Sequence, residues 1–159
     1  PYDVTLVPVT SAQDMFEAVS SRAKEQDLII KAAAVADYRP VTVAENKIKK
    51  SPGDMSIALE RTTDILAWLG EHRQEGQVLC GFAMETEHMV EHAKEKLTRK
   101  HVDMIAANNV KVAGAGFGTD TNVVTLITED GAEELAKMSK EEVASRILDA
   151  LLRLRRNRE

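Results

Sequence analysis

The feature that most constrains this chain is a regular alternation between short aliphatic runs and stretches of helical periodicity. Leu28-Ile29-Ile30, Val78-Leu79-Cys80, Met104-Ile105-Ala106-Ala107 and Val124-Thr125-Leu126-Ile127 are nearly continuous in apolar character. Such runs suit strands covered on both faces. Between them, Met15/Val19/Ala23, Ile65/Leu66/Trp68/Leu69, Met89/Val90/Ala93/Leu97 and Val143/Ile147/Leu148/Leu151/Leu152/Leu154 mark stretches of helical periodicity. Strands alternating with amphipathic helices imply an α/β fold, a three-layer, mostly parallel sheet with helices on both faces.

In detail, strands are expected at Val4–Val9, Leu28–Val35, Met55–Glu60, Val78–Ala83, Met104–Ala107 and Val123–Thr128. Pro8 marks the first as an edge or a strand end, because proline cannot donate to a ladder. A polar loop fills Ala36 to Asp54, and Asp130-Gly131 signals a turn. Helix starts are expected at Thr10 or Ser11, Thr62 or Thr63, and Thr86, where a side-chain oxygen can accept from first-turn N–H groups. Ser139 and Glu142 form a capping box for the last helix, which ends in Arg153, Arg155, Arg156 and Arg158. No second domain or linker interrupts the pattern, so residues 1–159 are read as one domain.

At 159 residues the chain is long enough for a proper core, and with only 4% aromatic residues that core must be aliphatic. A net charge of -5 argues against general nucleic-acid binding. Cys80 is the only cysteine, which excludes an intrachain disulfide, and its apolar neighbours suit a reduced core thiol. No apolar run approaches the ~20 residues of a membrane span and no signal peptide is visible; the cytoplasm is the expected location. The chain opens at Pro1, without an initiator methionine, and reads as a fragment or a processed chain.

Ligands of open α/β sheets bind beyond the carboxyl ends of strands, and three such ends are unusual here. Ala32-Ala33-Ala34 keeps the backbone approachable, and Asp37 just beyond can accept from a ligand or hold a divalent cation; a tightly packed strand followed by an Asx-turn is the plainer alternative. Lys47-Ile48-Lys49-Lys50 is a local cationic patch in an acidic chain, suited to phosphates, or simply a solvated face. Gly81 would allow close backbone approach, Phe82 would cover a base, and a helix starts nearby at Thr86. Lys96 and Lys100 share a face of that helix. His88 and His92 are a helical pair without the glutamate of a zinc signature, and Gly114, Gly116 and Gly118 precede a strand, so they fail the dinucleotide-binding context.

Taken in order, Ala33-Ala34-Val35-Ala36-Asp37-Tyr38-Arg39, Lys47-Ile48-Lys49-Lys50, Gly81-Phe82-Ala83-Met84-Glu85-Thr86 and Ala106-Ala107-Asn108-Asn109 resemble bacterial phosphopantothenoylcysteine synthetase. That enzyme is usually the C-terminal half of a bifunctional coenzyme A biosynthesis protein, and the resemblance covers essentially the whole chain. It implies a Rossmann-like sheet and a ligase that uses CTP, with Mg2+ or Mn2+, to convert 4'-phosphopantothenate to an acyl-cytidylate. Cysteine then displaces CMP. FMN is implied only if a decarboxylase domain lies upstream, and a homodimer or higher oligomer is expected. By the same resemblance Lys31, Ala32, Ala33 and Phe82 frame the cytosine, and Asp37 contacts the nucleotide as a catalytic residue and tentative metal ligand. Lys47 is the catalytic lysine of a flexible motif that also reaches the nucleotide. Thr63-Asp64-Ile65-Leu66, Lys96 and Lys100 complete the nucleotide site, and Ala34 and Asn108 face the substrate.

Two departures stand out. Thr62-Thr63 replaces the family's Asn-Pro before Asp64-Ile65. The family's N-terminal segment, with a Gly-Gly-Thr turn and a Ser-Ser-Gly-Lys stretch, has no counterpart here. The expectation is a chain inactive alone, with an unfilled sheet position. An NAD(P)-dependent Rossmann-type reductase, or a non-catalytic nucleotide-binding or oligomerisation fragment, are the alternatives.

Overall fold

The structure, a computed structural model, describes residues 3–49, 53–85, 89–109 and 121–158. Its centre is a pair of parallel strands, β4 (Val78–Glu85) and β5 (Met104–Asn109). Alternate residues point to opposite faces of a strand. Val78 and Cys80 therefore join one apolar cluster, and Leu79 and Ala83 the other. β1 (Leu28–Lys31) adds to β4 in parallel. On the far side, β7 (Val124–Thr128) runs antiparallel to β5, and β8 (Gly131–Glu134) antiparallel to β7. The sheet order is β1-β4-β5-β7-β8, with four of the five strands pointing the same way.

Helices cover both faces, as the alternation predicts. On one side lie α1 (Ala12–Ser20), α2 (Ile65–Glu71) and α3 (Met89–Lys100), burying Ile65, Leu66, Leu69, Ala93 and Leu97 against Leu79, Ile105 and Ile127. Phe16 meets Trp68 edge to face at 5.4 Å, joining α1 to α2. Gly70 sets the α2–α3 approach: a Cβ there would lie 1.8 Å from the Lys100 carbonyl oxygen. On the other face, α4 (Lys140–Arg156) buries Val143, Ile147, Ala150 and Leu151. Its capping box is formed as expected, with Ser139 Oγ accepting from the Glu142 N–H at 3.2 Å and the Glu142 carboxylate accepting from the Ser139 N–H at 2.8 Å. Ser11 and Asp14 make the same motif at α1.

The amino end of the sheet is tied by Asp103, whose side chain is 5% exposed. One carboxylate oxygen accepts from the Leu79 N–H at 2.8 Å; the other receives Arg73 at 3.0 Å and also Arg158. Both guanidinium groups also donate to the Gln77 carbonyl, so the end of α4 is fastened to β4 and β5.

Several expected boundaries change. Val4–Val9 forms no strand, because no neighbour among the described residues pairs with it. A cavity of about 880 Å³ lies between Thr5, Val7 and Val9 and the edge strand β1, and Val4 and Leu6 are exposed. The expected Leu28–Val35 strand stops at Lys31; Ala32, Ala33 and Ala34 are exposed, and Ile30 on this open edge is not buried. The polar loop contains a strand, β2 (Tyr38–Pro40), which pairs antiparallel with β3 (Leu59–Arg61), all that forms of the expected Met55–Glu60 strand. β8 was not expected; with Glu133 and Glu134 in it, it lacks an apolar run. A minor ribbon pairs β6 (Thr121–Asn122) with β9 (Met138–Ser139). Lys50, Thr86, His88, Gly114, Gly116 and Gly118 lie outside the described residues.

Candidate nucleotide site

β1 ends at Lys31, opposite Gly81, while β4 and β5 run on together to Glu85 and Asn109. The sheet therefore has a step at the carboxyl ends of its parallel strands, the usual position of a ligand crevice in open α/β sheets. Lys31 shares its face with Gly81, the face covered by α2 and α3. Gly81 itself serves packing rather than ligand approach: a Cβ there would come within 2.5 Å of Leu66 Cδ2.

The turn into α2 is built around Asp64, which, rather than Thr62 or Thr63, is the N-cap. Its Oδ1 accepts from the Ala67 N–H at 3.1 Å. Thr62 instead binds the loop after β1, donating its N–H to the Asp37 carbonyl at 2.9 Å and its hydroxyl to the Ala36 carbonyl. That cross-link brings the exposed Asp37 to the mouth of the α2 turn. Asp64 Oδ2 also pairs with Lys100 Nζ at 2.8 Å, reaching the last residue of α3. Lys31, Asp64 and Lys100 thus form one charged cluster, with Asp37 in electrostatic range. Burial pulls the Lys31 ammonium below the usual lysine value and Lys100 adds to the pull, opposed by Asp64 and Asp37. Burial pushes the Asp64 carboxyl up, but the Lys100 ammonium and the Ala67 N–H outweigh it and hold the group below its ordinary value.

The other expected site residues are placed as follows. Ala32, Ala33, Ala34 and Thr63 are exposed beside the cluster. Ile65 and Leu66 are 2% and 5% exposed core residues, so only their backbone is available to a ligand. Lys96 is half-buried one helical turn before Lys100 on α3. Phe82 and Asn108 project to the opposite, α4 face, where Phe82 lies against the apolar cluster and Asn108 is half-buried next to Met84. Lys47 is exposed on the segment between β2 and β3. The strand ends bring the charged residues together on one face and leave the base-covering candidate on the other. Among the described residues no three His, Cys, Asp or Glu side chains converge to hold a metal, and no helix is long and apolar enough to cross a membrane.

Sequence reasoning missed the double duty of Asp64. The signal was present, since aspartate is at least as good an N-cap as threonine. The Lys100 contact spans separate elements and leaves no local trace.

Residues 1–154 match the family model described as DNA/pantothenate metabolism flavoprotein C-terminal domain. The chain belongs to this family. Among its relatives, the coenzyme A biosynthesis bifunctional protein CoaBC of Bacillus subtilis (strain 168) is 50% identical over 93% of this chain and 36% of its own length. A cysteine/cysteine sulfinic acid decarboxylase from an unknown prokaryotic organism is 42% identical over 96% of this chain and 43% of its length. The chain therefore spans well under half of these curated relatives. The crystal structure of the C-terminal domain of CoaBC is similar, with a TM-score of 0.79 and 46% identity over 99% of this chain and 71% of that one. Membership in this family agrees with the Rossmann-like α/β sheet described above.

Proposed function

We propose that this chain forms the nucleotide-binding part of a phosphopantothenate–cysteine ligase of coenzyme A biosynthesis. The observation that carries the proposal is the Lys31–Asp64–Lys100 cluster at the carboxyl ends of the parallel strands. It stands in a chain 46% identical to the CoaBC C-terminal domain. The decarboxylase name of the second relative belongs to a protein of which the match covers only 43%, and nothing in the cluster favours that chemistry.

In this reaction CTP activates the carboxylate of 4'-phosphopantothenate as an acyl-cytidylate, releasing pyrophosphate, and the cysteine amine then displaces CMP. A carboxylate is a poor electrophile at neutral pH, so it needs a leaving group. Ammonium groups aimed at the phosphates stabilise the charge that develops as it forms. Lys31, Lys96 and Lys100 are the candidates on the α2/α3 face. Ala32, Ala33, Thr63 and the backbone at Ile65 and Leu66 border the same crevice, and Ala34 and Asn108 would face the substrate. Phe82 would reach the base from across the strand ends. Asp37 is a single exposed carboxylate. That donor set fits a Mg2+ or Mn2+ ion brought by the nucleotide's own phosphates, since Mg2+ commonly binds through one or two carboxylates plus substrate phosphates.

Lys47 is assigned to the second half-reaction. Its segment is held at its base by the β2–β3 ribbon and the Val41 N–H to Ala58 carbonyl bond at 3.0 Å, and the lysine stands exposed beyond it. A merely solvated lysine would tolerate Lys47→Gln. In a protein carrying this chain within a complete CoaBC-type C-terminal domain, Lys47→Gln should keep CTP-dependent pyrophosphate release. Transfer to cysteine should fall at least about tenfold, roughly 1.4 kcal/mol of transition-state stabilisation. The acyl-cytidylate should then accumulate in the mass spectrum. Normal product formation with no trapped intermediate would remove Lys47 from the mechanism.

A homodimer is proposed as well. The β2–β3 ribbon and the segment it supports expose Tyr38, Val41, Val43, Ile57 and Leu59, an apolar surface that a second copy would cover.

A further inference from the structure

Lys31 and Lys100 are like charges within electrostatic range of each other at the strand-end crevice. The Lys100 side chain is 19% exposed, and Lys31 is half-buried. Left alone, two such ammonium groups would separate, because each long stem has many rotamers and water solvates the free ion better. One carboxylate opposes this at Lys100. Asp64 Oδ2 holds Lys100 Nζ at 2.8 Å. Its other oxygen is fixed by the Ala67 N–H at 3.1 Å, so the carboxylate cannot rotate away without uncapping α2. The bond occupies one of the three ammonium protons and leaves two to donate elsewhere.

We propose that Asp64 is a positioning residue: it holds the Lys100 ammonium in place to grip the phosphates of the nucleotide, acting through Lys100 rather than by touching the nucleotide. The inference rests on the nucleotide site proposed above. It explains why an acidic side chain lies where an anion is to bind. The carboxylate cancels one of two positive charges and in exchange removes the rotamer freedom of the lysine that would otherwise have to be ordered by the ligand.

The test compares Asp64→Asn with Lys100→Gln in the full chain. Asparagine caps a helix as well as aspartate, so Asp64→Asn keeps the Ala67 bond and removes the charge that holds Lys100. The expected result is an unfolding temperature within about 2 °C of the unaltered chain. CTP binding measured by calorimetry should weaken at least about fivefold. Combining Asp64→Asn with Lys100→Gln should weaken binding no further than Lys100→Gln alone, because both changes act on the same contact. Asp64→Glu, which keeps the charge, should recover part of the affinity even though it caps poorly. Ammonium-selective NMR supplies a readout without nucleotide: the Lys100 ammonium resonance, slowed in exchange by the Asp64 bond, should disappear in Asp64→Asn. Unchanged CTP affinity in Asp64→Asn beside a weakened Lys100→Gln would overturn the positioning role while leaving the site intact. An Asp64→Asn effect that adds fully to that of Lys100→Gln would also overturn it, because Asp64 would then act on the nucleotide directly. Failure of the unaltered chain to bind CTP, with the Lys100 resonance present, would overturn the nucleotide site and this inference with it.

Discussion

Cys80 lies in the middle of β4, fully buried between β1 and β5. Burial pushes its thiol up to about 12, with Asp103 adding to the rise and a backbone hydrogen bond at Ala106 opposing it. The folded chain should therefore resist iodoacetamide at pH 8 and react fully once unfolded, a difference readable by intact mass. The sign for stability follows. The unfolded thiol ionises at a lower pH than the folded one, so stability falls as pH rises from about 9 towards 12. Comparing Cys80 with Cys80→Ala in alkaline denaturant titrations isolates that part of the decline, and equal slopes would contradict it. The acid side runs the other way. Asp64 is held below its ordinary value, so its contribution is present above roughly pH 4 and is lost as pH falls through the folded value. At this scale the sequence disclosed Cys80 well, because a lone cysteine in an apolar run has few other places to go. It disclosed Asp64 poorly, because its second partner lies on another helix.

Among the elements, α4 was legible almost residue by residue. Its capping box, apolar stripe and basic end are all local signals, and they agree with one another. β4 and β5 were legible for a similar reason, since their continuous apolar runs are buried on both faces whatever lies around them. Val4–Val9 was not. A strand exists only with a partner, and β-propensity alone cannot say whether a neighbour is present. The short β2 strand was hidden in the same way, its pairing with β3 set by a contact across some twenty intervening residues. The Asp103 clamp left no trace either, its partners being remote in sequence, yet it ties the end of α4 to the sheet. Asp103→Ala leaves two arginines without their shared anion and the Leu79 N–H without an acceptor. Urea denaturation should show a loss of about 3–5 kcal/mol. A change under about 1 kcal/mol would mean that the partly exposed arginines recover their interactions in water.

Over the whole molecule, the charged cluster, the step at the strand ends and the open edge at β1 lie on the same side of the fold. The cavity beside β1 reaches Lys31, Ala32 and Ala33, so the candidate site and the β1 edge of the sheet are continuous. The α/β architecture could be read in advance because burial pattern dictates it. Which faces the site residues occupy could not, since that depends on register: Lys31 pairs with Gly81 and so faces away from Phe82. The apolar ribbon surface predicts self-association, and light scattering at tens of micromolar should give the mass of a dimer or more; a monomer would leave Val43 and Ile57 without their proposed cover. The central claim, that the strand ends hold a cytidine nucleotide, is tested most directly by ligand-dependent thermal unfolding of the full chain. With Mg2+ present, CTP should raise the unfolding temperature in a saturable way and more than ATP does, and NADPH should leave it unchanged. Stabilisation by NADPH and none by CTP would contradict the account and point to a reductase instead.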